Sequence, residues 1–228
     1  MKRLRIISVA ASVVLALCLT ACSSEPLEGE DLVLAAREKY ESYDSAKVVI
    51  TNEATDEVEQ EFTFKYDEKD SLTYLYTGGY EGESYIQYNN GFECFTEQSG
   101  EFSFTQRGDS DFEAYTRDSK HPQASGAYLP FERGAINNTE KETDADGGKT
   151  YSYSYDPDSF ETEAGIVSFK AIYHFDKSGD LLYFEEISVM KNNDKSETEH
   201  SYRIDIEDIN SVGEIENPLK DKANEKNS

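Results

Sequence analysis

Apolar side chains recur along this chain with two different periods, and the change of period organises it. Val33, Ala36, Tyr40 and Tyr43 fall at steps of three and four, so they share one stripe of a helix expected from about Glu30 to Tyr43. Glu30 and Asp31 lie in its first turn, where the helix dipole favours acids. Asp44-Ser45 ends it, and Ala46-Lys47-Val48-Val49-Ile50 begins extended chain. The period then becomes two: Val58, Phe62, Phe64 and Tyr66 alternate with Glu57, Glu59, Glu61, Thr63 and Lys65. Leu72, Tyr74 and Tyr76 follow a turn at Asp67–Asp70, and Ser84–Asn89, Phe92–Glu97 and Phe102/Phe104 follow in order. Asn89-Asn90-Gly91 between two such runs is a hairpin signal. Each run has one apolar and one polar face, the mark of antiparallel strands wetted on one side.

The stretch from Gly108 to Gly148 breaks this rhythm. Ser110–Arg117 is expected as a short helix capped by Asp109-Ser110-Asp111, and Gln123–Arg133 as an irregular one interrupted by Pro130. Asn137–Gly148 reads as a polar connector. Alternation returns at Tyr151, Tyr153 and Tyr155, then at Val167, Phe169, Ala171, Tyr173 and Phe175. Leu181, Tyr183, Ile187 and Val189 follow the turn at Asp176–Asp180, and His200, Tyr202, Ile204 and Ile206 complete a meander. After Glu216 the chain is charged and poor in apolar residues, so a loose tail is expected over 216–228. The sum is an α+β domain over 30–215, with one helix and about ten antiparallel strands.

The N-terminus follows a different pattern. Lys2, Arg3 and Arg5 precede an apolar run from Ile6 to Leu19, the charged and hydrophobic regions of a signal peptide over residues 1–21. The run is short for a transmembrane helix, which needs roughly 20 apolar residues. Its end, Leu19-Thr20-Ala21-Cys22, resembles the bacterial lipobox. That resemblance implies that Cys22 carries a diacylglycerol on sulfur, and that cleavage makes it the first residue. Two or three acyl chains (palmitate or its like) anchor stably, since each buried methylene contributes about 0.8 kcal/mol. Residues 22–29 then form a polar tether. The expected location is the extracytoplasmic face of a bacterial cell membrane.

Charge narrows the partners. The formal net charge is −25, and loss of Lys2, Arg3 and Arg5 with the signal peptide would take it to −28. Such a surface is repelled by nucleic acid and by anionic lipid, so no nucleic-acid role is expected and the acyl chains must do the anchoring. The expected partner is the lipid bilayer, reached through Cys22 by a monomer. Cys18 lies in the signal peptide and Cys22 is the acylation site, so Cys94 is left without a partner for an internal disulfide. It reads as a buried structural thiol. The 16 Tyr and 12 Phe supply sheet faces.

Little in the chain announces catalysis. His121, His174 and His200 have no metal-ligand spacing. Asp144-Ala145-Asp146-Gly147 resembles the start of an EF-hand loop, but Tyr155 stands where the twelfth-position glutamate would be, so a turn is expected. No Gly-x-Ser-x-Gly elbow or phosphate-binding glycine loop occurs. No catalytic residue, metal or cofactor is expected, and the domain reads as non-enzymatic.

The order of features resembles the LolA/LolB-like lipoprotein-carrier superfamily, and more closely its uncharacterised Gram-positive lipoprotein relatives. The likeness rests on the lipobox, one amphipathic helix, and a strand entered through Tyr43-Asp44-Ser45-Ala46-Lys47-Val48. Long aromatic strands, a segment near Leu129-Pro130-Phe131 and closing hairpins around Tyr173–Leu181 complete it. The resemblance implies a strongly curved antiparallel half-barrel, with the N-terminal helix and a central helical lid on its concave face. It also implies a cavity that can accept acyl chains or a lipoprotein. Phe62, Phe64, Tyr66, Leu72, Tyr74, Tyr76, Tyr151 and Tyr153 are the residues expected to line that face, either as a ligand cavity or as plain core. Two functional readings follow: a tethered binding domain for an apolar or acylated ligand, or an envelope sensing or interaction module with a solid core. Both readings share the anchor. Cys22→Ala should therefore leave the protein uncleaved or released from membranes, as read by fractionation and intact mass; a variant that stays membrane-bound and processed like wild type contradicts the assignment.

Overall fold

The computed structural model describes residues 25–80, 83–160, 165–192 and 194–222. The signal peptide and Cys22 lie outside them. One helix, α1 (Glu30–Glu41), is followed by eleven strands: β1 (Ser45–Asn52), β2 (Glu57–Tyr66), β3 (Leu72–Tyr80), β4 (Glu83–Asn89), β5 (Glu93–Gln98), β6 (Glu101–Gln106), β7 (Ile136–Thr143), β8 (Lys149–Tyr155), β9 (Ile166–Phe175), β10 (Leu181–Lys191) and β11 (Glu197–Glu207).

All eleven form one open antiparallel sheet in the order β6-β5-β4-β3-β2-β1-β11-β10-β9-β8-β7. Chain neighbours pair except β6 and β7, and β1 pairs with β11, so the first and last strands meet in mid-sheet. The two free edges are therefore β6 and β7, and the residues joining them, 107–135, must cross from one side of the sheet to the other. They do so over the face that α1 also covers. The sheet curls round this filling: Tyr40 of α1 packs on Phe64 of β2 at 5.9 Å, while Gly29, just before α1, lies against Tyr151 of β8. Gly29 has φ 77°, and a Cβ there would stand 2.5 Å from the Tyr151 ring, so the helix can begin this close to the sheet only on a glycine.

Register explains the core. Val48 pairs with Phe62 on one side and Ile206 on the other; Phe62, Phe64 and Tyr66 pair with Tyr76, Tyr74 and Leu72. On the far half, Tyr151, Tyr153 and Tyr155 pair with Tyr173, Ala171 and Phe169. Period-two alternation puts all of these on the concave face, where burial of each large side chain contributes roughly 1.5–3 kcal/mol.

Several expectations are corrected. β7 falls in the stretch expected as a polar connector, because its sequence, Ile-Asn-Asn-Thr-Glu-Lys-Glu-Thr, lacks an apolar face; as an edge strand it needs only one partner and stays largely exposed. Ser110–Arg117 is not helical, so Asp109 caps a turn instead, accepting the Gln106 N–H at 2.9 Å. The lid is three single 3₁₀ turns, Pro122–Ala124, Gly126–Tyr128 and Arg133–Ala135, rather than an α-helix. α1 stops at Glu41, although Tyr43 is still buried.

Beyond β3 the apolar face changes sides. Tyr88 and Phe95 face the convex surface, while Gln87 and Asn89 face inward in register with Tyr76 and Tyr74. Leu219 covers Tyr88 and Phe95 and is only 2 % exposed, and Lys222 pairs with Glu97. Composition marks the stretch after Glu216 as loose, yet one leucine docks it as far as Lys222. Leu219→Ala should cost roughly 2 kcal/mol of unfolding free energy, read from the urea midpoint at unchanged m; an unshifted midpoint would mean the segment is not docked in solution.

Candidate functional site

The eight residues expected on the concave face lie there together, on β2, β3 and β8, and they pack as core. Phe62, Phe64, Tyr66, Leu72, Tyr74, Tyr151 and Tyr153 are all buried, and Tyr76 is half-buried. α1 and the lid close over them. The phenols supply the attachment: Tyr153 Oη donates to Glu28 O at 2.8 Å and Tyr155 Oη to Pro130 O at 2.9 Å, while Tyr173 donates to Pro130 O and Tyr40 to Gln123 O. Arg37 of α1 adds bonds to Gly126 O at 2.8 Å and Phe131 O at 3.2 Å. Gly126 sits so close to α1 that a Cβ would stand 2.8 Å from Arg37 O.

An open groove of about 970 Å³ lies elsewhere, where the end of β1, the start of β2, the end of β3 and the starts of β4 and β11 meet. Asn52, Glu59, Gln60, Gly78, His200 and Tyr202 line it, with Glu57, Glu61 and Glu83 alongside; among the described residues its lining includes no Lys or Arg, although Lys47 pairs with Glu61 from outside it. A β-bulge shapes the wall. Ile50 pairs with Gln60 and Thr51 with Val58, so Glu59 is unpaired in the ladder, and Asn52 Nδ2 holds its Oε1 at 2.7 Å. His200 and Tyr202 stack with ring planes 10° apart. The core meets the groove at Tyr76, whose Oη donates to Gln60 Oε1 at 2.8 Å.

Glu186 lies beside this junction. Register places it between Tyr202 of β11 and Ala171 of β9, on the concave face with Phe184. Its side chain is half-buried, and desolvation pushes its carboxyl up to about 8. At neutral pH it is therefore chiefly a carboxylic acid, with an O–H to donate. Tyr128 of the lid stands over the same region, edge-on to Phe184 at 6.1 Å; burial raises its phenol, with smaller contributions from Glu186, Tyr40 and Tyr76.

A second enclosed group is His121. Its ring stacks on Phe62 at 4.8 Å and 14°, with Tyr74 at 4.7 Å and Tyr115 at 4.8 Å. Nδ1 accepts the Gln123 N–H at 3.2 Å, and burial lowers the imidazole to about 4. A polar strip continues from it: Tyr74 Oη donates to Gln87 Oε1 at 3.0 Å, and Asn89 Nδ2 to Glu113 O at 2.8 Å. Cys94 is half-buried in this strip, 3.9 Å from Thr96 Oγ1, and burial raises its thiol. His174 belongs to the convex face, stacked on Tyr183 at 4.2 Å with Nδ1 3.1 Å from Thr150 and Nε2 2.9 Å from Glu185.

Asp144–Gly148 forms a turn, with the Asp144 N–H on Gly148 O at 2.9 Å. Among the described residues no three His, Cys, Asp or Glu side chains converge as a metal site, and no helix is long and apolar enough to cross a membrane. Sequence spacing identified neither Glu186 nor His121. Each occupies an otherwise ordinary position, and only the cross-strand and lid contacts isolate it.

No protein-family model matches the chain, and no curated protein matches it. Among solved structures it is similar to LprF from Mycobacterium bovis, at 13 % identity and a TM-score of 0.46, over 86 % of this chain and 99 % of that one. At that identity and overlap the likeness brings neither a ligand nor a role to this chain.

The His121 environment has a measurable consequence. Its folded-state pKa lies below the ordinary value of 6.5, so between pH 6.5 and about 4 the unfolded chain binds the extra proton and stability falls as pH falls. Relative to His121→Phe, which keeps the stack but cannot titrate, wild type should lose about 3 kcal/mol over that window. Urea melts of both proteins at several pH values test this; parallel pH profiles would refute it.

Proposed function

We propose that the chain is a lipoprotein held by acylated Cys22 at the extracytoplasmic face of a bacterial cell membrane. Its domain acts as a binding module rather than an enzyme. The groove at the strand ends, not the aromatic interior, is where a ligand sits. The observation that carries this reading is the division of the concave face into a filled half and an open half. Under α1 and the lid, Phe62, Phe64, Tyr74, Tyr153 and Tyr173 occupy the space an acyl chain would need. Entry there would break phenol-to-carbonyl bonds worth about 0.5–1.5 kcal/mol each, and it would leave the buried carbonyls unpaired. The groove needs no such opening, and its glutamate-bearing wall suits a polar, extended segment of an envelope partner better than a lipid tail.

The alternative, carriage of an apolar or acylated ligand, differs in one observable. Native mass spectrometry of the full chain released in detergent should give the lipidated protein without a stoichiometric second lipid. A lipid retained across independent preparations would move the ligand into the aromatic interior and overturn the groove reading.

A further inference from the structure

The concave side of β3–β6 has a composition unlike the rest of the chain. Three cross-strand rows run over it from the core to the free edge. Tyr76 is followed by Gln87, Thr96 and Ser103; Tyr74 by Asn89, Cys94 and Thr105; and Gly78 by Tyr85, Gln98 and Glu101. Of these positions only Glu101, exposed at the rim, carries a charge, in a chain whose residues are 30 % Asp, Glu, Lys or Arg. The wetted face of an antiparallel sheet ordinarily holds such residues. The convex side of the same strands does so, with Glu93 and Glu97 beside Phe95.

The neutral groups are organised. Tyr74 Oη donates to Gln87 Oε1 at 3.0 Å, Gln87 Nε2 donates to Thr96 Oγ1 at 3.4 Å, and Cys94 Sγ lies 3.9 Å from the same hydroxyl. Aromatic rings border this line. Tyr85 meets Tyr76 edge-on at 5.5 Å, and on the crossing segment Tyr115 meets Tyr74 at 6.3 Å and His121 at 4.8 Å. Gln87, Thr96, Tyr76, Tyr85 and Tyr115 are all half-buried, so each keeps some surface for solvent or a ligand. The titratable groups are held uncharged as well. Burial pushes the Tyr76 and Tyr85 phenols up to about 12, raises Tyr115 and Cys94, and lowers His121 to about 4.

We propose that this face binds a short neutral oligosaccharide, with its hydroxyls on Gln87, Thr96 and Ser103 and its C–H faces on the rings of Tyr85 and Tyr115. Other ligand classes meet obstacles. A cation finds counter-charge only at the rim, in Glu101 and in Glu113, which already accepts the Tyr115 O–H. An anion is repelled by the same two carboxylates. An apolar ligand would strip water from the Gln87 amide and the Thr96 and Ser103 hydroxyls and return no hydrogen bond. A sugar meets both needs. Its hydroxyls donate and accept as the amide and the Ser and Thr hydroxyls do, and the apolar side of its ring covers a tyrosine face while the phenol keeps a polar partner. The rows cross three strand spacings, roughly 14 Å, which suits several sugar rings rather than one. Gly78 belongs to the groove wall, so the two sites adjoin, but Gln87, Thr96, Ser103 and Tyr115 lie outside the groove lining.

The test is an NMR titration of the full chain in detergent, isotope-labelled in its tyrosine rings. The probes are neutral oligosaccharides of glucose, mannose, galactose and N-acetylglucosamine, with oligogalacturonate as the acidic counterpart. At least one neutral sugar should shift the Tyr85 and Tyr115 signals saturably, and by more than those of Tyr202 in the groove; oligogalacturonate should shift neither. Gln87→Glu, which can still accept from Tyr74 Oη, should bind that sugar about tenfold more weakly, the order of one hydrogen bond. Tyr85→Leu should lose about as much with its ring. Thermal melts of both variants check that the sheet is intact. No saturable shift with any neutral sugar, an equal response to oligogalacturonate, or larger shifts at Tyr202 than at Tyr85 would each overturn the proposal. All three are read on wild type, and the first two leave the groove reading standing.

Discussion

The fold depends on hydrogen bonds between tyrosines rising from the sheet and the backbone of the segment that crosses it. A buried phenol must find an acceptor, and a chain that crosses a sheet without a helix or ladder of its own leaves its carbonyls unmet. Here each need answers the other. Tyr155 and Tyr173 of the sheet both donate to Pro130 O of the crossing segment, Tyr40 of α1 donates to its Gln123 O, and Tyr153 fastens the entry to α1 through Glu28 O. These bonds let the lid remain a chain of single 3₁₀ turns, because the sheet beneath satisfies what an α-helix would have satisfied internally. They also explain the core's preference for tyrosine over leucine: the ring fills the concavity and the hydroxyl fastens the cover.

The sheet topology makes such a cover necessary. With β1 and β11 paired at the centre, the chain runs outward to β6, leaves the sheet, and returns at β7 on the opposite edge. The crossing segment is thus obliged to span the concave face, and α1 lies beside it. Where this filling ends, past Tyr76 and Tyr128, the same face stays open and its lining turns acidic. One continuous surface is therefore filled at one end and open at the other. Glu186 and His121 mark the transition. Both are held neutral by burial near pH 7, and both lie within reach of the lid tyrosines or the aromatic strands.

Much of this was legible in the residue pattern. Alternation located β2, β3 and β8–β11 because each has one face in the core, and spacing of three and four located α1. The same logic misread β7, whose polar sequence carries no alternation, and the Leu219 segment, whose charge hides one anchoring side chain. The lid was legible only as a break in rhythm. Short turns fastened by bonds to distant tyrosines have no periodic signature of their own.

The sequence by itself determined the class of fold, the concave set of aromatic residues and the anchor expected at Cys22, since these rest on local periodicity and on a contiguous motif. Tertiary structure alone decided that those aromatics pack solidly while the space lies beside Gln60, Gly78 and Tyr202. It alone also singled out one glutamate among the many acids of the chain. The reason is physical: whether a carboxyl is solvated or enclosed depends on strands and a lid brought together from distant parts of the chain, and no local pattern of residues records that distance.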